Sequence, residues 1–560
     1  RRARRSLAVL VAATACAHGP AQVADGSPAA APAAASAATS SASGSAAATS
    51  TAPPTATAPD PTAARLAAIR AEVDALLAAQ AMVFWDMWTR GAAADADPAA
   101  GHEALFSADA LAFVRGARAR AEGDERRALD LLHAFLLGEH LSRAAAGAPE
   151  PPAAAVTWGG RTVAGARVPA LLAAEADAPR RAALERAWVE AERKKGPALD
   201  ARWKALAAAA AKAGYPSLIA LAGELRGETP DALTVLAESV LATTDAAYRT
   251  LLGGVAQLEL SRRLADLRGR DLPRLFRVAE EPQAFPAGRL AADAQSALAG
   301  VGLDLAGRAG VVLDGDARPG KDPRALALPV EVPGNVRVSF TPVAGASELR
   351  GLLHELGAAA FYAHVAQPAL EFRRLGAVTA ETWAALFEGL AGDPAWLAER
   401  TGLSEAHLAR LVRAGAARQL HEARALAARI LVEVGRAGGP AFTPGIARTV
   451  IERAFARPVE NDELELFLGA RDPLLESADA LRALLLAAQA EAFLRARTPA
   501  PWWRAPEAGA LLGAAFAEGS RLAPPALARS LGAATLDASA LDATARSRAA
   551  AAGVRLAESR

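Results

Sequence analysis

The stretch Ser347–Val365, SELRGLLHELGAAAFYAHV, decides how the rest of the chain is read. Leu349, Leu352, Leu353, Leu356, Ala360 and Phe361 recur at three- and four-residue steps, the spacing of a helix with one apolar face. Ser347 stands where a hydroxyl can cap the first turn, and Glu348 falls where the helix dipole favours negative charge. The spacing predicts a half-buried helix.

Inside it lies His354-Glu355-Leu356-Gly357-Ala358. Histidines at i and i+4 stand on one helical face and can hold Zn²⁺, while a Glu after the first His activates a metal-bound water; this is the HExxH arrangement of zinc proteases. Here position i+4 is Ala358, which has no ligand atom. Taken alone, HELGA reads as a partly buried histidine beside a solvated glutamate, so the surrounding sequence has to supply the argument.

Immediately upstream the period changes from helical to alternating. Val330, Val332, Val336, Val338 and Phe340 alternate with other residues around Pro333-Gly334-Asn335, which predicts a β-hairpin feeding the motif helix. Downstream, Glu381 follows His354 by 27 positions, enough to end one helix, cross a loop and return on a second. Read alone, Glu381 is a solvated glutamate near a helix start. His364 is ten positions from His354, about 15 Å along the axis and on another face, so it cannot reach a metal held by His354 without unwinding the helix. His407 and His421 fall on later helices and stay open as replacement ligands.

Composition agrees with a helical body. Of 560 residues 52% are hydrophobic but only 5% aromatic, and Leu66–Trp88, the region from Asp109 to Leu141, Pro179–Ala213, Thr382–Leu390, Glu405–Val434 and Ala478–Ala496 carry helical periodicity. Sixty-two basic residues against 61 acidic ones, interleaved at helical spacing, leave no footprint for nucleic acid. After the N-terminal leader no apolar window is long enough to cross a bilayer, so a soluble body is expected.

The single cysteine, Cys16, excludes an intrachain disulfide and a multi-thiolate zinc site. It follows a basic Arg1–Arg5 region, the apolar Leu7–Val11 run and Ala13-Thr14-Ala15, a pattern that resembles a bacterial lipoprotein signal with Cys16 as the lipidated residue. An ordinary secretory signal is the alternative, and the paired arginines leave a twin-arginine route open. Residues 17–61 are almost entirely Ala, Ser, Thr, Pro and Gly and read as a disordered linker. The expected organisation is therefore a signal peptide at 1–16, the linker at 17–61, an N-terminal helical region at 62–310, a catalytic-like region at 311–545 and a tail at 546–560.

Together these residues resemble the thimet oligopeptidase and oligoendopeptidase F group of zinc metallopeptidases, which are gluzincins. Leu313–Lys321 (LDGDARPGK) is similar to the family's segment before a short strand pair, and LLHELG matches its LxHExGH run up to the second His. Thr379–Glu388 (TAETWAALFE) is similar to the segment that carries the third zinc ligand; Ala213–Ser217 and Trp503–Leu531 match more loosely. The resemblance implies a mainly α fold, a multi-helix shell around a deep central channel with a small hairpin or sheet beside the motif helix. It implies His354 and Glu381 as zinc ligands, Glu355 as general base, Glu388 in the supporting shell and short peptides as ligands, with the β edge available to pair with an extended one.

Three departures bear on activity. Ala358 removes a ligand from a site that needs three plus water. No His follows His421 and no Tyr follows Tyr362, so the family's C-terminal His and Tyr, which would steady the oxyanion by roughly 3 kcal/mol each, are missing; the corresponding Leu481–Leu494 reads LRALLLAAQAEAFL. Ala384 and Ala385 replace what is commonly a small polar residue. The expectation is an exported, membrane-tethered lipoprotein on the periplasmic or cell-surface side, an impaired peptidase that still binds short peptides. An active zinc oligoendopeptidase and a scaffolding lipoprotein are the alternatives.

Overall fold

Asp60 opens the folded body: its carboxylate accepts from the Thr62 amide (3.0 Å), Pro61 occupies the first helical position, and a 30-residue helix runs from Pro61 to Arg90. This computed structural model describes residues 60–91, 97–278, 282–499 and 501–554; Cys16, the leader and nearly all of the 17–61 linker lie outside the described residues. The fold is mainly α, 70% helix and 5% strand, and no barrel forms among the described residues. Among the described residues no helix is long and apolar enough to cross a membrane.

Two small sheets interrupt the helices. β1 (Ala155–Trp158) and β2 (Arg161–Ala164) pair antiparallel around Gly159-Gly160. The sequence reading treats those glycines as a break between helices; instead both take positive φ (58° and 75°), the conformation that a two-residue hairpin turn requires. β3 (Val311–Asp314), β4 (Leu326–Glu331) and β5 (Asn335–Ser339) form the second sheet in the order β3-β5-β4. Its β4–β5 pair is the expected hairpin. The parallel β3–β5 pairing has no signal in the local alternation, because it joins segments separated by a 20-residue excursion.

That excursion is strapped down by one lysine. Lys321 Nζ donates to the carbonyls of Asp314, Asp316 and Phe340 (2.8–2.9 Å) and to Asp314 Oδ1 (3.0 Å), with its side chain only 1% exposed. Arg318 adds a two-pronged pair to Asp314 (2.8 and 2.6 Å) and donates to Thr89 O at the end of the first helix. Gly91 and Gly320 meet backbone to backbone there, where a Cβ on Gly320 would lie 2.5 Å from Arg90 O.

The motif helix spans Ala346–His364 and is buried all round from Gly351 to Phe361. The half-buried expectation is therefore corrected: Gly357 and Ala358–Ala360 are so small that helices close in on every side. It is surrounded by the helices Ala287–Ala299, Ala377–Glu388 and Pro506–Ala517 and by β4 and β5. Phe516 meets Phe361 and Trp383 edge-on at 5.9 and 5.3 Å. Ser347 does not cap this helix; Gly345 does, at φ 146°, where any Cβ would collide with Glu348 Oε2 (2.1 Å).

A second core gathers around the 33-residue helix Glu405–Ala437. Its fully buried Arg424 donates to Leu241 O, Arg453 O, Ala454 O, Thr244 Oγ1 and Asp245 Oδ1 (2.6–3.0 Å). It thereby closes the C-terminal ends of two neighbouring helices, where a cation is favoured. The helix Ser539–Ala551 crosses the expected boundary at 545, and its Arg548 reaches Gly389 O (2.9 Å).

Candidate functional site

Close packing of two helices builds the site. A Cβ on Gly357 would stand 2.8 Å from Trp383 O and 3.1 Å from Ala384 Cα, so only glycine lets the motif helix lie against Ala377–Glu388. Glu381 and Glu388, seven residues apart on that second helix, then reach His354 from both sides. The His354 Nδ1–H donates to Glu388 Oε2 (3.1 Å), and Nε2 lies 3.3 Å from Glu381 Oε2. Burial alone would lower the imidazole's pKa, but the two carboxylates outweigh it and hold the ring well above its ordinary value. His354 is thus clamped between two carboxylates that favour its protonated form.

The chain of charges continues onto the long helix. Arg418 Nη2 stands 3.9 Å from Glu388 Oε1, and Arg418 Nη1 donates to Glu422 Oε1 (2.6 Å). Neither residue was picked out from the sequence, since both sit among the ordinary alternating charges of the Glu405–Ala437 helix.

Glu355 turns the other way. Its Oε2 accepts from the Ala327 amide on β4 (2.6 Å), and burial raises its pKa to about 8 against the opposing pull of His354 and that amide. The same strand is occupied elsewhere along its open side: Pro329 has no N–H, and its carbonyl accepts from Arg374 Nη2 (3.0 Å). The β edge expected to receive an extended ligand is already engaged at Ala327 and Pro329 by the protein's own groups.

A cavity of about 1670 Å³ opens over this arrangement. His354, Ala358 and Tyr362, spaced by four on one helical face, line it together with Glu381, Glu388 and Arg374. Burial and the nearby Glu381 push the Tyr362 phenol upward, so it stays protonated. The i+4 spacing from Ala358 was the signal that could have found it.

The donor set does not fit a three-ligand zinc site. His354 and Glu381 supply two donors, the third position is the Ala358 methyl, and no group of three His, Cys, Asp or Glu among the described residues could hold a metal ion. The other histidines are placed elsewhere. His364 Nδ1 bonds Ala360 O (2.7 Å), His407 Nδ1 bonds Ser404 Oγ (3.2 Å), and His421 accepts from Tyr248 OH (2.7 Å) in the second core. Compared with protein-family models and with curated proteins, the chain matches none.

Proposed function

We propose that this chain is a catalytically impaired relative of the zinc oligopeptidases that binds short peptides in its central cavity. The observation that carries the reading is the cavity-facing row His354, Ala358, Tyr362 beside Glu381 and Glu388: the setting of a peptidase site with one imidazole replaced by a methyl group. Its residues can still bind and orient. The Glu381 carboxylate can receive a peptide amine or amide, Tyr362 can donate to a carbonyl, and Glu355 supports the strand that walls the cavity. Hydrolysis would need a water-activating group aimed into the cavity, and Glu355 is spent on Ala327.

The test restores the missing ligand. Purified wild type is expected to carry far less than one zinc per chain and to leave a quenched fluorescent peptide library uncut, while Ala358→His gains tight zinc. Stoichiometric zinc in the wild type, lost in His354→Gln and accompanied by cleavage, would establish the active oligoendopeptidase instead. Failure of every short peptide to shift the melting temperature would favour the scaffolding role. Export and membrane tethering through Cys16 belong to the same proposal and rest on the N-terminal sequence.

A further inference from the structure

A ring of charged side chains closes on the cavity wall where the helix Leu218–Arg226 packs against both Gly123–Ala144 and Glu476–Arg497. Asp130 accepts from Arg118 Nε (2.5 Å), Arg118 also reaches Glu224, and Arg226, two residues further along that helix, reaches Asp479. Arg482 pairs with the same Asp479 and donates to Arg226 O (2.9 Å). Arg127 stands three positions before Asp130 and closes the ring, because its charge and that of Arg482 repel each other. Every one of these residues lines the cavity.

The ring is short of acid. Asp130 also holds Arg126 (3.0 Å), so the five arginines 118, 126, 127, 226 and 482 are set against the three carboxylates of Asp130, Glu224 and Asp479. Glu476 and Asp472 act on Arg226 as well, but burial raises both carboxyls above their ordinary values and weakens them as counter-charges.

The shortfall falls on Arg127. Among the described residues no hydrogen bond or ion pair engages it, and its buried Nε has no partner. Burial lowers it from the ordinary arginine value, Asp130 draws it back up, and Arg482 pushes it down again. A half-buried guanidinium left in this state is unusual, since a cation withdrawn from water needs a partner. Arg429, elsewhere on the cavity wall, also pairs with no carboxylate among the described residues, but it donates to Phe467 O and lies over that ring (3.7 Å).

We infer that Arg127 is the donor of an anion subsite on the cavity wall, set in the surplus positive charge of Arg226 and Arg482, and that it takes a carboxylate of a bound peptide. The inference rests on the peptide-binding reading for the source of that carboxylate, which is the free C-terminus or an acidic side chain. Arg226 and Arg482 are locked on Asp479 and supply field; Arg127 supplies the hydrogen bonds. A planar carboxylate matches the forked donors of arginine and brings the charge the ring lacks.

The experiment uses the full chain and N-acetylated Ala-Phe-Leu-Phe-Ala as free acid and as C-terminal amide, the amide of Ala-Phe-Glu-Phe-Ala, and acetate alone. Calorimetric titration is expected to show the free acid binding about tenfold or more tighter than its amide. In Arg127→Gln that preference disappears, and in Arg127→Lys it returns in part. A preference for the Glu-containing amide that is lost in Arg127→Gln keeps the subsite and assigns it to an acidic side chain. If the wild type binds all three peptides equally, or if the preference survives in Arg127→Gln, the subsite is overturned and peptide binding stands. If no peptide binds but acetate raises the melting temperature of the wild type and not of Arg127→Gln, the subsite holds and the peptide reading fails. No response to any probe overturns both.

Discussion

Two histidines inside this chain keep opposite company. His354 is pinched between Glu381 and Glu388, which favour its protonated form, whereas His421 is packed against the rings of Tyr248, Phe276 and Phe455, with Arg457 and Arg424 close enough to repel a proton. Burial, then those two arginines, bring His421 down to about 3, so it stays neutral and accepts from Tyr248. The same side chain is a charged hub in one helical neighbourhood and a neutral filler in the other. Only the neutral one sits in a core that solvent does not need to enter; the charged one faces a cavity.

The sharpest way to break that contrast is at Arg424. Arg424→Met would leave three helix-end carbonyls and Asp245 without their donor, and a loss of about 3–5 kcal/mol is expected in denaturant unfolding. On the site side, Gly357→Ala would force the motif helix off Trp383 O. It should cost about 1–3 kcal/mol, less the roughly 1 kcal/mol gained in helix propensity, and weaken peptide affinity as the His354–Glu381 contact opens.

Acid separates the two histidines by sign. His421 binds its proton more weakly folded than unfolded, so stability should fall by up to about 1.4 kcal/mol per pH unit below 6.5, until the ring charges near pH 3. His421→Gln should flatten that slope in unfolding measurements. His354, raised instead, contributes fully below 6.5 and loses its contribution as pH rises through its folded value. A modest effect is expected at Asp314, which Arg318 and then Lys321 hold down to about 2. Its contribution is present above pH 3.8 and disappears as pH falls through 2, and Asp314→Asn should remove about 1–2 kcal/mol at neutral pH.

Much of this was legible because it was local. Leucine spacing announced the motif helix, Val330–Phe340 announced the hairpin, and the positions of His354, Glu381 and Glu388 anticipated a meeting that the helix pair achieves. What escaped depends on distant chain segments. Arg418 and Glu422 read as surface charges until their helix packs behind Glu388. Glu355 is held toward β4 by the Ala327 amide, a partner 28 residues upstream that a motif string does not display. Arg127 and Arg429 stand out only because no carboxylate among the described residues pairs with them, which no linear pattern reveals.

The lysine strap described above also has a mechanical meaning. Because Lys321 and Arg318 stitch the end of the first helix to β3 and to the strand that leads directly into Ala346–His364, those pieces cannot loosen one at a time. They should exchange their amide hydrogens together as one cooperative block.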